Sequence, residues 1–288
     1  MSLAIEVKNF IKSYGDNTVI KGISFSVEKG EIFALLGTNG AGKTTTLECL
    51  EGLRKYDGGT VKVDGKIGVQ LQSSSLPANI RPYEAVSLFS RWNRVAVDHE
   101  ALQSFGLDEF KNRQYRELST GQKRRLHLAL ALIGNPEVIF LDEPTAGLDV
   151  EGRAALHSEI RKLKQQGRTI IMASHDMAEV ESLCDRIAIL KNGNIAFQGT
   201  ANQLTLEVGG TTRVYLKTAS PISVEKFGDC EFQGEEQGYS IYITGNIGDG
   251  LIELLTAAKK QGVAVIDIKI ERTTLEQKFI DIAKEAVS

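Results

Sequence analysis

AIEV at 4–7 and GISFSV at 22–27 alternate apolar and polar positions, whereas IFALLG at 32–37 is apolar almost without a break. Alternation marks an antiparallel strand with one face in water. A continuous run marks a strand covered on both faces of a parallel sheet. Glycines cluster at 37, 40 and 42, and KTTTLECLEGL then carries a helical pattern, so the order is strand, glycine loop, helix. GTVKVDGK at 59–66 predicts a small hairpin turning at Asp64-Gly65. From Leu76 to about Asn135 the period is helical. Pro82 suits a first helical position, and Ala85, Leu88, Phe89 and Trp92 fall at i, i+3, i+4 and i+7. Leu126, Ala129, Leu130 and Ile133 share a face of a second helix, and both stripes are read as core.

Further buried strands follow. VIFL at 138–141 runs into Asp142, Glu143 and Pro144, and TIIMAS at 169–174 runs into His175. RIAIL, a turn at Asn192-Gly193 and NIAFQG close the pattern. The alternation of strands and helices predicts an α/β domain over 1–206, with a mostly parallel sheet, an antiparallel β subdomain and a helical subdomain at about 74–135. Ligands of such sheets lie at the carboxyl ends of strands. The glycine loop, the acid pair and the histidine all fall there.

Around EVGGTT the texture changes. RVYLK, CEFQ and YSIYIT alternate, LIELLTAAKK is amphipathic, VAVIDIKI reads as a strand, and Thr273 to Glu276 fits a capping box opening a last helix through Ala286. Residues 207–288 therefore read as a small α+β extension.

Composition narrows the function classes. A formal charge of −3 over 288 residues gives no electrostatic footprint for nucleic acid, so none is expected as a partner. Cys49, Cys184 and Cys230 are odd in number and have no metal-ligand spacing, which predicts apolar core residues in a reducing compartment. The start MSLAIEVKNF lacks the pattern of a signal peptide. The richest apolar run, LHLALALIG at 126–134, is half the length needed to span a bilayer.

Gly37-Thr38-Asn39-Gly40-Ala41-Gly42-Lys43-Thr44 fits G-x-x-x-x-G-K-[ST], with Thr45 next. Glycines let several backbone N–H groups converge on phosphate oxygens at the positive end of a helix. Lys43 offers a mobile charge for the β and γ phosphates, and Thr44 a hydroxyl for Mg²⁺. Asp142 at a strand end can hold the metal's water shell, while Glu143 can orient a water for attack.

LSTGQ at 118–122, LDEPTAGLD at 141–149 and His175 after a buried strand, in register with the glycine loop, resemble the ATP-binding-cassette ATPases over roughly residues 1–205. The resemblance implies a P-loop NTPase fold, ATP and Mg²⁺ as ligands, and two cassettes packed head to tail. It implies that Tyr14 stacks on adenine, that Gln72 joins the metal and water shell, and that Asp149 sits in the loop spanning two cassettes. It implies that His175 contacts γ-phosphate. Ser119, Gly121 and Gln122 would close over ATP held by the other copy's loop. Thr120 departs from the family pattern, which carries a second glycine there.

The family's transporters pair such a chain with a separate membrane-spanning permease at the cytoplasmic face, received by the helical insert after Gln72. Translation-factor-like cassettes carry two glycine loops per chain, and here there is one. Chromosome and repair cassettes place a long coiled coil before the signature, and the seventy-five residues from Lys43 to Leu118 leave no room for it. The tail TTLEQKFIDIAKE resembles that of bacterial drug-, antibiotic- or lipid-exporting ATPases, which implies an exporter subunit. For the tail itself, a regulatory or dimer-bracing role stands beside a plain packing role.

Overall fold

The computed structural model describes residues 2–70, 76–98, 103, 105–207, 212–220, 222, 226–227 and 230–272. Gln72 and the expected last helix, 273–286, lie outside the described residues. The chain divides into two units, 1–200 and 201–288, a division a few residues earlier than the change of texture in the sequence.

In the first unit β1 (Leu3–Tyr14) and β2 (Asn17–Glu28) form a long antiparallel pair. The chain then enters β3 (Ile32–Leu36), every residue of which is buried, and passes through the glycine loop into α1 (Lys43–Leu50). β4 (Gly58–Val63) pairs antiparallel with β1, giving a three-stranded sheet in the order β2-β1-β4.

The expected hairpin at 59–66 is not formed. The Asp64-Gly65 turn instead delivers the chain to β5 (Ile67–Gln70), which joins a different sheet by pairing parallel to β6 (Val138–Asp142). The reason lies at a distance. Gly59 has φ +85°, and a Cβ there would sit 2.2 Å from the Asn9 carbonyl oxygen, so only glycine lets β4 close on β1. Val61 and Val63 then pack on the core beneath.

The six-stranded sheet runs β5-β6-β7-β3-β8-β9, with β7 at Thr169–Ser174, β8 at Arg186–Lys191 and β9 at Asn194–Gly199. Its pairs are parallel except β8 with β9. Phe33, Leu35, Phe140, Ile171, Ala173 and Leu190 on one face share a core with α1 and with β1 and β2. This explains why β3, β6 and β7 read as unbroken apolar runs: neither face meets water.

α2 (Pro82–Trp92) begins at Pro82 and buries Pro82, Ala85, Val86 and Ser90. The apolar stripe expected to be core is only partly so. Leu88 is 51% exposed and Trp92 83%, because the face that meets the rest of the unit is rotated toward Val86 and Ser90. α3 (Thr120–Ala131) buries Leu126, Ala129 and Leu130 as its period predicts. α4 (Val150–Gln165) and α5 (Met177–Leu183) connect β6 to β7 and β7 to β8.

The second unit opens with α6 (Ala201–Glu207) and holds an antiparallel sheet in the order β11-β12-β13-β10-β14. Its strands are β10 (Thr212–Thr218), β11 (Lys226–Phe227), β12 (Cys230–Glu236), β13 (Tyr239–Thr244) and β14 (Val265–Arg272). α7 (Ile247–Lys260) packs Leu254 against Val214, Leu216, Cys230 and Tyr242. None of Cys49, Cys184 and Cys230 is joined in a disulfide among the described residues.

Candidate nucleotide site

The carboxyl ends of β3, β6 and β7 meet at one cavity of about 550 Å³, lined by Asn39, Gly40, Lys43, Thr44, Glu143 and His175 among others. Each wall has a local cause. Gly42 caps α1 with φ 104°, and a Cβ on it would lie 2.3 Å from Ile20 Cδ1. Gly40 also has positive φ, at 82°. Both turns are therefore ones that L side chains avoid. Ala41 turns the other way and belongs to the core.

Lys43 is buried, and its Nζ donates to the carbonyl oxygens of Gly37 at 2.8 Å and Thr38 at 3.3 Å. Burial lowers its pKa, opposed by the charges of Glu143 and Asp142. The ammonium is thus folded onto the loop with few solvent contacts, a state that an anionic ligand would relieve.

Thr44 donates its hydroxyl to Asp142 Oδ2 at 2.9 Å, while Asp142 Oδ1 is buried without a hydrogen-bond partner. Burial pushes the Asp142 carboxyl up, and the Thr44 hydrogen bond pulls it partly back. A buried carboxylate with one orphaned oxygen beside a threonine hydroxyl is a donor set that fits Mg²⁺, which takes oxygen ligands and usually keeps several waters.

Glu143 follows at φ 46°, in the left-handed region, with its N–H donating to the Ala173 carbonyl at 3.0 Å. Its Oε1 lies 3.1 Å from His175 Nδ1.

Other expected residues lie elsewhere. Tyr14, at the end of β1, is 43% exposed and does not line this cavity; Lys12 Nζ and Arg54 Cζ stand over its ring at 5.1 and 5.8 Å. Val19 does line it, and Ile20 packs on the glycine loop. No local signal marks these two, since it is the packing of the β1–β2 hairpin against the glycine loop that brings them there.

Ser119, Gly121, Gln122 and Asp149 line a second cavity of about 580 Å³, which among the described residues shares none with the first. Ser119 caps α3: Gln122 N–H donates to its Oγ at 3.2 Å, and its own N–H donates to Gln122 Oε1 at 3.0 Å. The departure at Thr120 leaves this reciprocal cap intact. A Cβ on Gly121 would meet nothing closer than Leu148 Cδ2 at 3.8 Å. Asp149 caps α4 by accepting from Gly152 N–H at 2.8 Å, and Val150 beside it is exposed.

A glycine-loop cradle at the end of a buried parallel strand, with an acid pair and a histidine on the neighbouring strand ends, defines a P-loop nucleotide-binding domain. Comparison with known proteins narrows the class. The ABC transporter family profile matches residues 20–146. The linearmycin resistance ATP-binding protein of Bacillus subtilis is 36% identical over 230 residues, 74% of either chain. The daunorubicin resistance ATP-binding protein of Streptomyces coeruleorubidus is 30% identical over 97% of this chain and 95% of its own. A dimeric ATP-binding cassette solved in a post-hydrolysis state with ADP and Pi matches 68% of this chain and 98% of its own, at TM-score 0.63 and 27% identity. The chain belongs to the ABC transporter family, as one of its ATP-binding cassettes. Among its described residues no helix is long and apolar enough to cross a membrane.

Proposed function

We propose that this cassette hydrolyses ATP between two head-to-tail copies, and that closing and reopening of the pair drives a separate membrane-spanning permease, in the direction of export, from the cytoplasmic face of the membrane. The observation that carries the reading is the separation of the two cavities. The phosphate loop lines one and the signature turn the other, with none of the described residues in common. Gly121 supports it further, because nothing inside the unit requires a glycine at that position. The open space suits close approach by a ligand held on another copy.

In this reading the N–H groups of Gly37–Thr45 and Lys43 Nζ receive the phosphates. Glu143 accepts a proton from the attacking water, and His175 holds the γ-phosphate. Ser119, Gly121, Gln122 and the first turn of α3 complete the partner's site, Asp149 lies across the joint, and Tyr14 stacks on adenine. Thr44, Asp142 through water, and Gln72 would hold Mg²⁺, which would supply charge neutralisation at the β and γ phosphates. Removal of the shared phosphate loosens the pair, and that movement is the output.

The drug-resistance names of the relatives support export. The match of the daunorubicin relative over 97% of this chain extends this support into the C-terminal unit, for which we propose a regulatory or dimer-bracing role. Turnover per molecule should fall on dilution as pairs dissociate; constant turnover from particles shown to be monomeric overturns the pairing. A membrane pull-down should recover a polytopic partner.

A further inference from the structure

Behind the His175 turn lies a chain of polar groups that the proposed reaction does not use. Ser174, the last residue of β7, donates its hydroxyl to Glu179 Oε2 at 2.6 Å and accepts the Asp176 backbone N–H at 3.0 Å. The residues on either side of His175 are therefore fastened to one hydroxyl. Glu179, on α5, is only 3% exposed, and its Oε1 has no hydrogen-bond partner. Facing it at 3.6 Å is His157 Nε2 from α4, a nitrogen likewise buried and unpartnered. Four residues earlier on α4, Arg153 joins Asp176 at 3.1 Å and the Leu148 carbonyl at 3.3 Å. Leu148 immediately precedes Asp149, the cap of α4.

A carboxylate buried with one oxygen unsatisfied is a cost that packing alone would select against. Here the deficiency lies between α4, which Asp149 caps, and the turn that carries His175. The gap is slightly too long for a hydrogen bond, and a small shift of α4 would close it.

We propose that Glu179 is a positioning residue for His175, acting through Ser174. His157 is its counter-group, drawn onto Glu179 when α4 moves with the Asp149 loop as two cassettes close. Contact at the joint is thereby felt as a fixed orientation of the His175 ring. This rests on the head-to-tail reading above.

The test is a mutant cycle in the full chain. Glu179→Ala removes the acceptor from Ser174 and should lower kcat roughly ten- to a hundredfold, the scale of a misplaced reacting group. KM and nucleotide affinity should stay within about twofold. Glu179→Gln restores the acceptor and should recover most of the loss. His157→Phe should lower kcat when Glu179 is present and have little effect in Glu179→Ala. In a His175→Ala background Glu179→Ala should cost almost nothing more. A full, multiplicative loss there, or a parallel loss of nucleotide binding, overturns the proposal. The imidazole NMR signals of His175 give a readout independent of turnover, and Glu179→Ala should shift them. If they do not move, the positioning role is wrong even if the cassette hydrolyses ATP. If they move while wild-type protein shows no turnover, the fault lies with the proposed function.

Discussion

His175 Nδ1 stands 3.1 Å from Glu143 Oε1, each side chain emerging from the end of one of two paired parallel strands. The pair is held from the Glu143 side by strained backbone. The left-handed φ of 46° costs a residue with a Cβ about 1–2 kcal/mol, and the bond from its N–H to Ala173 keeps the turn in place. Glu143→Gln preserves shape and backbone and removes the proposed base. Steady-state hydrolysis should fall roughly 10²–10⁴-fold, while titration with nucleotide shows binding intact. A variant that loses ATP binding as well would contradict the role assigned to Glu143.

Two glycines should behave in opposite ways. Gly42→Ala forces a Cβ into Ile20 at φ 104°, so thermal unfolding should show a loss of roughly 1–3 kcal/mol, along with loss of phosphate binding. Gly121→Ala meets no such neighbour. Its melting temperature should match wild type, while ATP-dependent association, followed by size-exclusion chromatography, should weaken.

Tyr14 offers an exposed ring already visited by Lys12 and Arg54. Tyr14→Ala should weaken ADP binding by roughly 1–3 kcal/mol of lost stacking, measured by calorimetry. Unchanged affinity would remove Tyr14 from the base site.

Glu51, the C-cap of α1, is buried with Oε2 unpartnered, and burial together with the charges of Asp142 and Glu48 raises its pKa from 4.5 to about 7. Between those values the folded chain holds a proton that the unfolded chain has lost, so this group's contribution to stability falls as pH rises from about 4.5 to 7. Glu51→Gln removes that dependence. Relative to wild type it should be more stabilising at pH 8 than at pH 5, by up to roughly 3 kcal/mol, read from denaturant midpoints at the two pH values.

The sheet was legible where burial acts on both faces. Every residue of Ile32–Leu36, Val138–Asp142 and Thr169–Ser174 is buried, and successive residues such as VIFL and IIMA stay apolar without alternation only where both faces are covered. The glycine loop was legible because its backbone demands are written as residue types. Pairing over distance was not: GTVKV reads as a strand, yet nothing within it says that β1 and not the next segment is its partner. Nor does period reveal coverage. Leu88 and Trp92 keep helical spacing with Ala85, but only the packed structure shows which of them the unit covers. Ser174 and Glu179 were hidden for a third reason, since their link spans a turn and involves ordinary residue types.

Because the two cavities share none of the described residues, injury to one leaves the other whole. Two chains, each dead by itself, should therefore cure one another when mixed: a Lys43→Ala chain still lends its signature turn, and a Gly121→Asp chain still offers its phosphate loop. In the proposed pairing such a mixed couple would keep a single sound chamber of its two, so the mixture should recover up to about half of the wild-type turnover per couple, and no recovery would overturn the pairing.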